Sequence, residues 1–265
     1  VKYIDLDANP GFASKYTSSG TTLTTGNIIV ETDKRFKILA PTDLFDLQTS
    51  QDGTSQTNYT MVDNALASAV SFVNSKTVPV VAFDTGHSEM LDTTAVKKVL
   101  SSNNFEAKDF NVLTDAIPDN AQIIALTTPN TDYTADEIKK LDTFLRDTSA
   151  TNSRFLLVTV HPGETDLPNL NSFLAEWGIK ADNEQIVESS NQNIFANSAT
   201  AILGDLGTEL KFGGKTDYGY LAMPASRPIT KLFTSQNGIS TYTLVSSKAT
   251  SYALPTGQDV KATGN

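Results

Sequence analysis

Apolar residues along this chain fall into short continuous runs that alternate with stretches of helical periodicity between residues 78 and 190. A continuous apolar run is typical of a strand covered on both faces, whereas apolar residues three or four positions apart indicate one face of a helix. The runs that predict buried strands are VPVVAF (78–83), AQIIALTTP (121–129) and RFLLVTV (154–160). The stretches that predict helices are 92–102, 134–147 and 167–178.

Local signals support these boundaries. Thr134 followed by Glu137 predicts a capping box at the start of the second helix, and Gly178 is a suitable stop for the third. Two weaker apolar segments, AKDFNVL (107–113) and EQIVESS (184–190), predict further strands.

The repeated order of strand, helix and strand predicts an α/β fold. We expect a doubly wound, mostly parallel sheet of the flavodoxin-like kind, with helices on both faces. In such sheets, ligands bind outside the carboxyl ends of the strands. Three loops meet that description: DTGHSE (84–89), TTPNTDY (127–133) and HPGETD (161–166).

The flanks of this core are richer in β signals. Ile28–Val30 and Phe36–Leu39 surround a polar stretch and predict a hairpin, and the polar segment 48–57 predicts a loop or linker. A helix is predicted next, with one apolar face formed by Tyr59, Val62, Leu66, Ala69, Val70 and Val73. We therefore divide the chain into a β-rich N-terminal segment (1–57), an α/β core domain (58–190) and a β-rich C-terminal segment (191–265). The last segment extends the sheet or pairs with the N-terminal hairpin while packing on the core.

Composition narrows the classes of function. The 265 residues include 30 acidic and 20 basic residues, for a net charge of −10, which opposes binding to nucleic acid or to anionic lipid. The absence of cysteine excludes disulfides, thiolate nucleophiles and cysteine-ligated metals. No run of about 18 apolar residues is present to span a membrane.

The first loop contains the most suggestive chemistry, Gly86-His87-Ser88-Glu89. A nucleophile elbow requires the pattern G-x-S-x-G after a strand, and Met90 stands where the second glycine belongs. The other histidine, His161, is the available general base for Ser88, so a hydrolase stays open as an alternative.

A metal site is a second interpretation of the same loops. His87, Glu89 and His161 are the types of ligand that zinc or iron takes, but no HExxH or HxH spacing is present. The structural interpretation is that His87 caps a helix or bonds a backbone carbonyl, while Glu89 is favoured near a helix N-terminus by the helix dipole. No phosphate-binding loop or dinucleotide motif is found.

One further candidate is Arg227, which lies between two prolines and has the chemistry to clamp a carboxylate, or to form a surface salt bridge. No residue is assigned as catalytic or as a metal ligand, and no cofactor is expected. The candidate ligand-binding residues are Gly86, His87, Ser88, Glu89, Thr128, Asn130, His161 and Arg227.

The order of motifs resembles a known family. The segments that carry the resemblance are IDLDANPGFASKY, VPVVAFDTGHSE, IPDNAQIIALTTPNTDYTADEIKKLDTFL and FLLVTVHPGETDLPNLNSFLAEWGI. Within them, the matching positions are Gly86, His87, Glu89, the Pro129 loop with Glu137, and Leu167-Pro168-Asn169-Leu170-Asn171. Over roughly residues 1–190, the chain is similar to the extracytoplasmic region of gliding-motility-type ABC-transporter auxiliary proteins.

This resemblance implies a domain with the fold of class I glutamine amidotransferases but without their catalytic cysteine. It also implies a membrane-tethered subunit outside the cytoplasm that works beside an ABC permease and ATPase. Two positions depart from the family pattern: DTSATNSR replaces the usual Gly-Gly before the third buried strand, and His161 replaces an acid after it.

We therefore expect a non-enzymatic, extracytoplasmic auxiliary or ligand-binding subunit of an ABC-type transport system. Its expected partners are permease and ATPase subunits or a sister auxiliary subunit, with a small molecule or carbohydrate as candidate ligand and no nucleic acid. We expect the full-length protein to be anchored to the membrane by a tether outside this chain. The alternatives are a hydrolase or metal-dependent enzyme that uses His87, Glu89 and His161, and a structural protein-interaction module.

Overall fold

The computed structural model describes residues 1–16, 23–49, 53, 55–150, 152–207 and 221–258. The chain forms two compact units, one made of residues 1–79 and 94–106 and the other of residues 80–93 and 107–265. The three-segment division expected from the sequence stays a prediction. Within the described ranges, no helix combines the length and the apolar character needed to cross a bilayer.

The described part of the first unit contains two hairpins and three α-helices. Its strands are β1 (Ile28–Glu31), β2 (Phe36–Leu39), β3 (Phe45–Thr49) and β4 (Ser55–Thr60). Its helices are α1 (Pro41–Leu44), α2 (Val62–Asn74) and α3 (Thr94–Ser102). Strands β1 and β2 pair antiparallel, as do β3 and β4. Leu39, Leu44 and Ala69 form a small core, so α2 packs against the first hairpin and α1.

The hairpin at 28–39 and helix α2 are confirmed. The predicted apolar face of α2 is wrong at two positions, because Tyr59 lies in strand β4 and Val70 is exposed. The predicted loop at 48–57 is wrong, because its described residues largely belong to the hairpin of β3 and β4, whose strands are too polar to show an apolar pattern. The helix predicted over 92–102 is confirmed as α3, and its Val96 and Val99 side chains are exposed.

The second unit is built on a four-stranded sheet with strand order β6-β5-β7-β8, in which β5, β7 and β8 run parallel. The sheet strands are β5 (Val80–Asp84), β6 (Glu106–Phe110), β7 (Ala121–Thr127) and β8 (Phe155–Thr159). Helices α4 (Ala135–Leu145) and α5 (Pro168–Glu176) contribute to the core beside it. The capping box of Thr134 and Glu137 is confirmed, and Gly178 follows α5 with φ of 84°.

The parallel sheet and these helices share one apolar core, which positions the loops at the carboxyl ends of the strands. The buried members of this core are Val80, Ala82, Phe110, Val112, Ala121, Ile124, Leu126, Tyr133, Leu141, Phe144, Leu167, Leu170, Phe173 and Leu174. Strand β8 was expected to be buried, but it is an edge strand that leaves Phe155 and Leu157 exposed.

After β8 the described chain forms small antiparallel sheets. The strands are β9 (Ile179–Ala181), β10 (Glu184–Glu188), β11 (Ile194–Phe195), β12 (Ser198–Leu206), β13 (Leu221–Pro224), β14 (Ile229–Lys231), β15 (Ser235–Gln236), β16 (Ile239–Ser240), β17 (Val245–Ser246) and β18 (Ser251–Pro255). Strand β9 pairs with β14, β10 with β18, and β12 with β11, β13 and β17. Among the described strands, none of these extends the parallel sheet or joins the N-terminal hairpin.

The expected doubly wound, flavodoxin-like parallel sheet is therefore wrong. Strand and helix do alternate along the chain up to β8, but the parallel sheet stops at four strands, and many small antiparallel sheets make up the rest. The segment EQIVESS shows why. It forms strand β10 as predicted, but its partner is β18, more than 60 residues later, and the apolar pattern of one strand does not specify such a distant partner.

Candidate functional site

Asp84 ends strand β5 and organises the turn that follows. Its carboxylate is buried and accepts four contacts from the surrounding backbone and side chains. Oδ1 accepts the backbone N–H of Val112 at 3.1 Å and that of Gly86 at 3.4 Å. Oδ2 lies 2.7 Å from Nδ1 of His87 and accepts the Tyr133 hydroxyl at 2.9 Å. One carboxylate thus ties together three separate loops.

His87 is 3% exposed and lies between two carboxylates. Nδ1 faces Asp84, while Nε2 lies 3.2 Å from Oε1 of Glu137 on helix α4. The imidazole also stacks on the Tyr133 ring, with centroids 3.8 Å apart and planes at 17°. We call these four residues, Asp84, His87, Tyr133 and Glu137, the buried polar cluster.

The Glu137 carboxylate contacts this cluster and also caps the helix to which it belongs. Oε2 accepts the backbone N–H and the hydroxyl of Thr134, each at 2.7 Å, which completes the capping box. Oε1 is buried and makes no hydrogen bond, although it is near Nε2 of His87. The contact between Glu137 and His87 is therefore electrostatic, with an alignment unsuited to a hydrogen bond.

Opposing effects determine the protonation of the cluster. Burial is the largest single effect on both groups and would lower the pKa of His87 and raise the pKa of Asp84, but the hydrogen bond between them, together with the other hydrogen bonds to Asp84 and the carboxylate charges around His87, outweighs it. The net result is a raised pKa for His87 and a lowered pKa for Asp84. Burial, with the nearby charge of Asp84, raises the pKa of Tyr133, so this phenol stays a donor.

The other residues of the turn, Gly86, Ser88 and Glu89, lie close to neighbouring groups of the protein. Glu89 accepts the backbone N–H of His87 through Oε1 at 2.8 Å. The side chain of Ser88 is exposed, and its hydroxyl accepts a long contact of 3.5 Å from that of Thr131. A Cβ at Gly86 would lie 2.6–2.8 Å from the side-chain amide of Asn111, so a larger residue there would displace that side chain.

Thr128 has a backbone conformation that β-branched residues rarely adopt, with φ of 57°. Its N–H donates to the carbonyl of Thr159 at 3.1 Å, and the two hydroxyls lie 2.9 Å apart. Its carbonyl accepts the N–H of Met90 at 2.9 Å. These contacts hold the strained residue in place where β7 ends, and strain of this kind is often found at binding sites.

Asn130 joins all three of the loops expected to form the site. Its N–H donates to the carbonyl of His87 at 2.8 Å, and its Oδ1 accepts the N–H of Thr165 at 3.0 Å. The Thr165 hydroxyl also donates to the Asn130 carbonyl at 2.8 Å. The structure therefore brings loops 84–89, 127–133 and 161–166 together, with Gly86, His87, Ser88, Glu89, Thr128 and Asn130 in one region.

The remaining two candidates have internal partners. Nδ1 of His161 accepts the N–H of Gly163 at 3.0 Å, and among the described contacts none links it to His87, Ser88 or Glu89. Arg227 is buried, donates to Glu164 at 2.8 Å, and donates to the carbonyls of Ala181 and Asp182 at 3.1 and 2.9 Å. The predicted surface salt bridge of Arg227 is wrong, because its salt bridge with Glu164 is buried.

Three members of the buried polar cluster were not among the candidates predicted from the sequence. Asp84 and Tyr133 were counted only as loop residues, and Glu137 was recognised as a helix cap and as a position of the family motif. The signal available was an aspartate three residues before a histidine at the end of a buried strand. Asp84, His87 and Glu89 each place one potential ligand atom within 4.8 Å of the others, which makes them a candidate group of metal ligands.

Comparison with known proteins supports the fold alone. No protein-family profile and no curated protein matches this chain. Among solved structures, the chain is similar to one described as "mmIFT52 N-terminal domain", with a TM-score of 0.51 and 19% identity. The match covers 67% of this chain and 76% of the other. It agrees with the mixed architecture found here and not with a flavodoxin-like sheet.

Proposed function

We propose that this chain is a non-enzymatic, extracytoplasmic auxiliary or ligand-binding subunit of an ABC-type transport system. The observation that carries the non-enzymatic part is the state of His87, whose two ring nitrogens both face carboxylates. In the described structure, the exposed hydroxyl of Ser88 is near Thr131 and contacts no histidine. Without a paired nucleophile and base, the site favours binding over hydrolysis.

The transport assignment rests on the motif order that the chain shares with gliding-motility-type auxiliary proteins. Contacts among the motif residues support this assignment, because motif residues that are distant in sequence contact the same group of loops. Glu137 faces His87, and Asn169 of the Leu-Pro-Asn-Leu-Asn motif donates through its side chain to the Tyr133 carbonyl at 2.8 Å. The N–H of Asn169 also donates to Asp132 at 2.9 Å. Several residues of the motif therefore help to hold the three loops in place.

The side chains left exposed on these loops suggest the chemistry of the ligand or partner. Ser88, Thr131 and Thr165 are exposed and carry hydroxyl groups. Hydroxyls both donate and accept hydrogen bonds, so this rim suits a polar, uncharged group such as a carbohydrate or the polar surface of a partner subunit.

Cross-linking in intact cells tests the assignment directly. The full-length protein is cross-linked and isolated from its own membranes, and its partners are identified by mass spectrometry. We expect an ABC permease and its ATPase in stoichiometric amounts. Thr131→Arg, which adds a bulky charge to the rim, is expected to reduce their recovery by about tenfold, because charge mismatch at an interface is costly.

The matched control is Ser149→Arg, which adds the same side chain to an exposed position before β8, at the opposite end of the sheet. The amount of permease recovered with Ser149→Arg is expected to equal the amount recovered with the wild type. Isolation of the wild-type protein without any transporter subunit contradicts the assignment. So does a saturable hydrolytic turnover that Ser88→Ala abolishes.

A further inference from the structure

We propose that Asp84, His87 and Glu89 form a binding site for one divalent transition-metal ion of the zinc class. This inference goes beyond the proposed function and does not depend on it. The three residues belong to one six-residue turn after β5, and one ligand atom from each lies within 4.8 Å of the others. The N–H of Asn130 donates to the carbonyl of His87, which holds the backbone of the turn in place.

The donor set matches the chemistry of such ions. One imidazole nitrogen and two carboxylate oxygens are ligands that zinc accepts, and three protein ligands leave a position open for water. An ion held by both Asp84 and His87 uses Nδ1, because Oδ2 of Asp84 lies 2.7 Å from that nitrogen, and it displaces to solvent the proton that these two atoms share. Glu89 is half-buried and completes the set from the open side of the turn.

Glu137 supplies an independent observation. Its Oε1 is buried and makes no hydrogen bond, although it lies 3.2 Å from Nε2 of His87. Histidines that bind metals usually donate their second ring N–H to a carboxylate, which fixes the ring and its tautomer. Glu137 is placed for that role, and the metal-bound form gives its orphaned oxygen a partner.

The ring movement that metal binding requires is consistent with this pairing. Two ligands of a tetrahedral zinc ion lie about 3.3 Å apart, so Nδ1 of His87 must move away from Asp84. Glu137 faces the other ring nitrogen, and a ring displaced from Asp84 moves toward it. The same shift that makes room for the ion improves the contact with Glu137.

Titration of metal-free protein with Zn²⁺, followed by calorimetry and elemental analysis at one fixed pH, tests the site. We expect one equivalent to bind to the wild type. Glu89→Gln keeps an oxygen that accepts the His87 N–H and is expected to weaken binding by at least tenfold. Glu137→Gln is expected to weaken it by about 10- to 100-fold, the range measured for outer carboxylate partners.

Glu176→Gln is the matched control, because it removes one exposed carboxylate from α5 without touching the turn. It is expected to bind zinc like the wild type. If Glu89→Gln binds zinc as tightly as Glu176→Gln, the ion is held by the general acidic surface and the proposal fails. It fails equally if the wild type takes up no zinc.

A second measurement needs no substitution. The chain has two histidines, so ¹⁵N-labelled histidine gives two ring spin systems. Zinc is expected to shift the ring nitrogens of His87 and leave those of His161 unchanged. Shifts confined to His161, equal shifts in both rings, or no shift in either overturn the proposal. The outcome is independent of any transporter partner, so the two proposals stand or fall separately.

Discussion

Thr128 is the residue whose backbone conflicts most with its side chain. A β-branched residue with φ of 57° carries strain of about 1–3 kcal/mol, and removal of Cβ relieves it. Glycine is normally less stable than alanine by about 0.5–1 kcal/mol within regular structure. We expect the reverse here, with Thr128→Gly at least as stable as Thr128→Ala in urea unfolding.

The neighbouring Thr127 provides the control for this comparison. It is also buried, but it lies within strand β7 in extended conformation. Thr127→Gly is expected to be less stable than Thr127→Ala by about 1 kcal/mol. If the two positions show the same order of stability, the strain assigned to Thr128 is wrong.

His87 and Asp84 are expected to make stability depend on pH. The pKa of His87 is raised, so its contribution is complete below the ordinary value of about 6.5 and is lost as the pH rises through the folded pKa. The pKa of Asp84 is lowered, so its contribution is complete above about 3.9 and is lost as the pH falls through the folded pKa. The pair therefore stabilises most between about pH 4 and pH 6.5.

Urea unfolding from about pH 5 to pH 9, with chelator present, measures this effect. The wild type is expected to lose stability as the pH rises above about 6.5. Asp84→Asn is expected to flatten that slope, since the charged partner of the imidazole is gone. His161→Asn serves as the control and keeps the slope. A slope in Asp84→Asn equal to that of the wild type would refute the pairing.

The ion pair of Arg227 and Glu164 joins two loops and is buried, so we expect it to affect the free energy of unfolding strongly. The two side chains are 6% and 0% exposed, and Arg227 also binds the carbonyls of Ala181 and Asp182. Arg227→Met leaves a buried carboxylate without its partner, which typically costs about 3–5 kcal/mol. We expect Glu164→Gln combined with Arg227→Met to recover part of that loss in thermal unfolding.

An exposed ion pair gives the comparison. Nε of Arg146, at the C-terminal end of α4, lies 2.7 Å from Oδ1 of Asp142 in that helix, but the two side chains are 51% and 34% exposed. Asp142→Asn is expected to cost less than about 1 kcal/mol, because solvent screens the interaction. Equal losses for the two pairs would show that burial does not control the energy of Arg227.

Element by element, the chain shows which features can be predicted from sequence. The hairpin at 28–39, the four strands of the parallel sheet and helices α2, α4 and α5 were predicted, because apolar periodicity and capping residues are local signals. Strands β3 and β4 were missed because they are polar. The exposed face of β8 was missed because an apolar run does not reveal whether a strand lies at an edge.

At the scale of the whole molecule, the unit boundaries have a testable consequence. A cut at 57/58 separates α2 from Leu39 and Leu44, which share a core with Ala69. A fragment of residues 58–265 is expected to expose the apolar face of α2 and to be cleaved faster within 62–74 under limited proteolysis. Cleavage within α4, which belongs to the second unit, is expected to stay unchanged. Equal protection of α2 in the fragment and the full chain would contradict this division.

Sequence by itself determined the positions of most helices, of the first hairpin and of the strands in the parallel sheet, the lack of cysteine chemistry and the turn where the candidate site lies. These properties depend on residue type and on spacing over a few residues. Only the tertiary structure decided the partners: β10 with β18, Asp84 with Tyr133, and Glu137 with His87. Such pairings join residues up to 71 positions apart, and they form where packing of the whole core brings them together, which local periodicity does not encode.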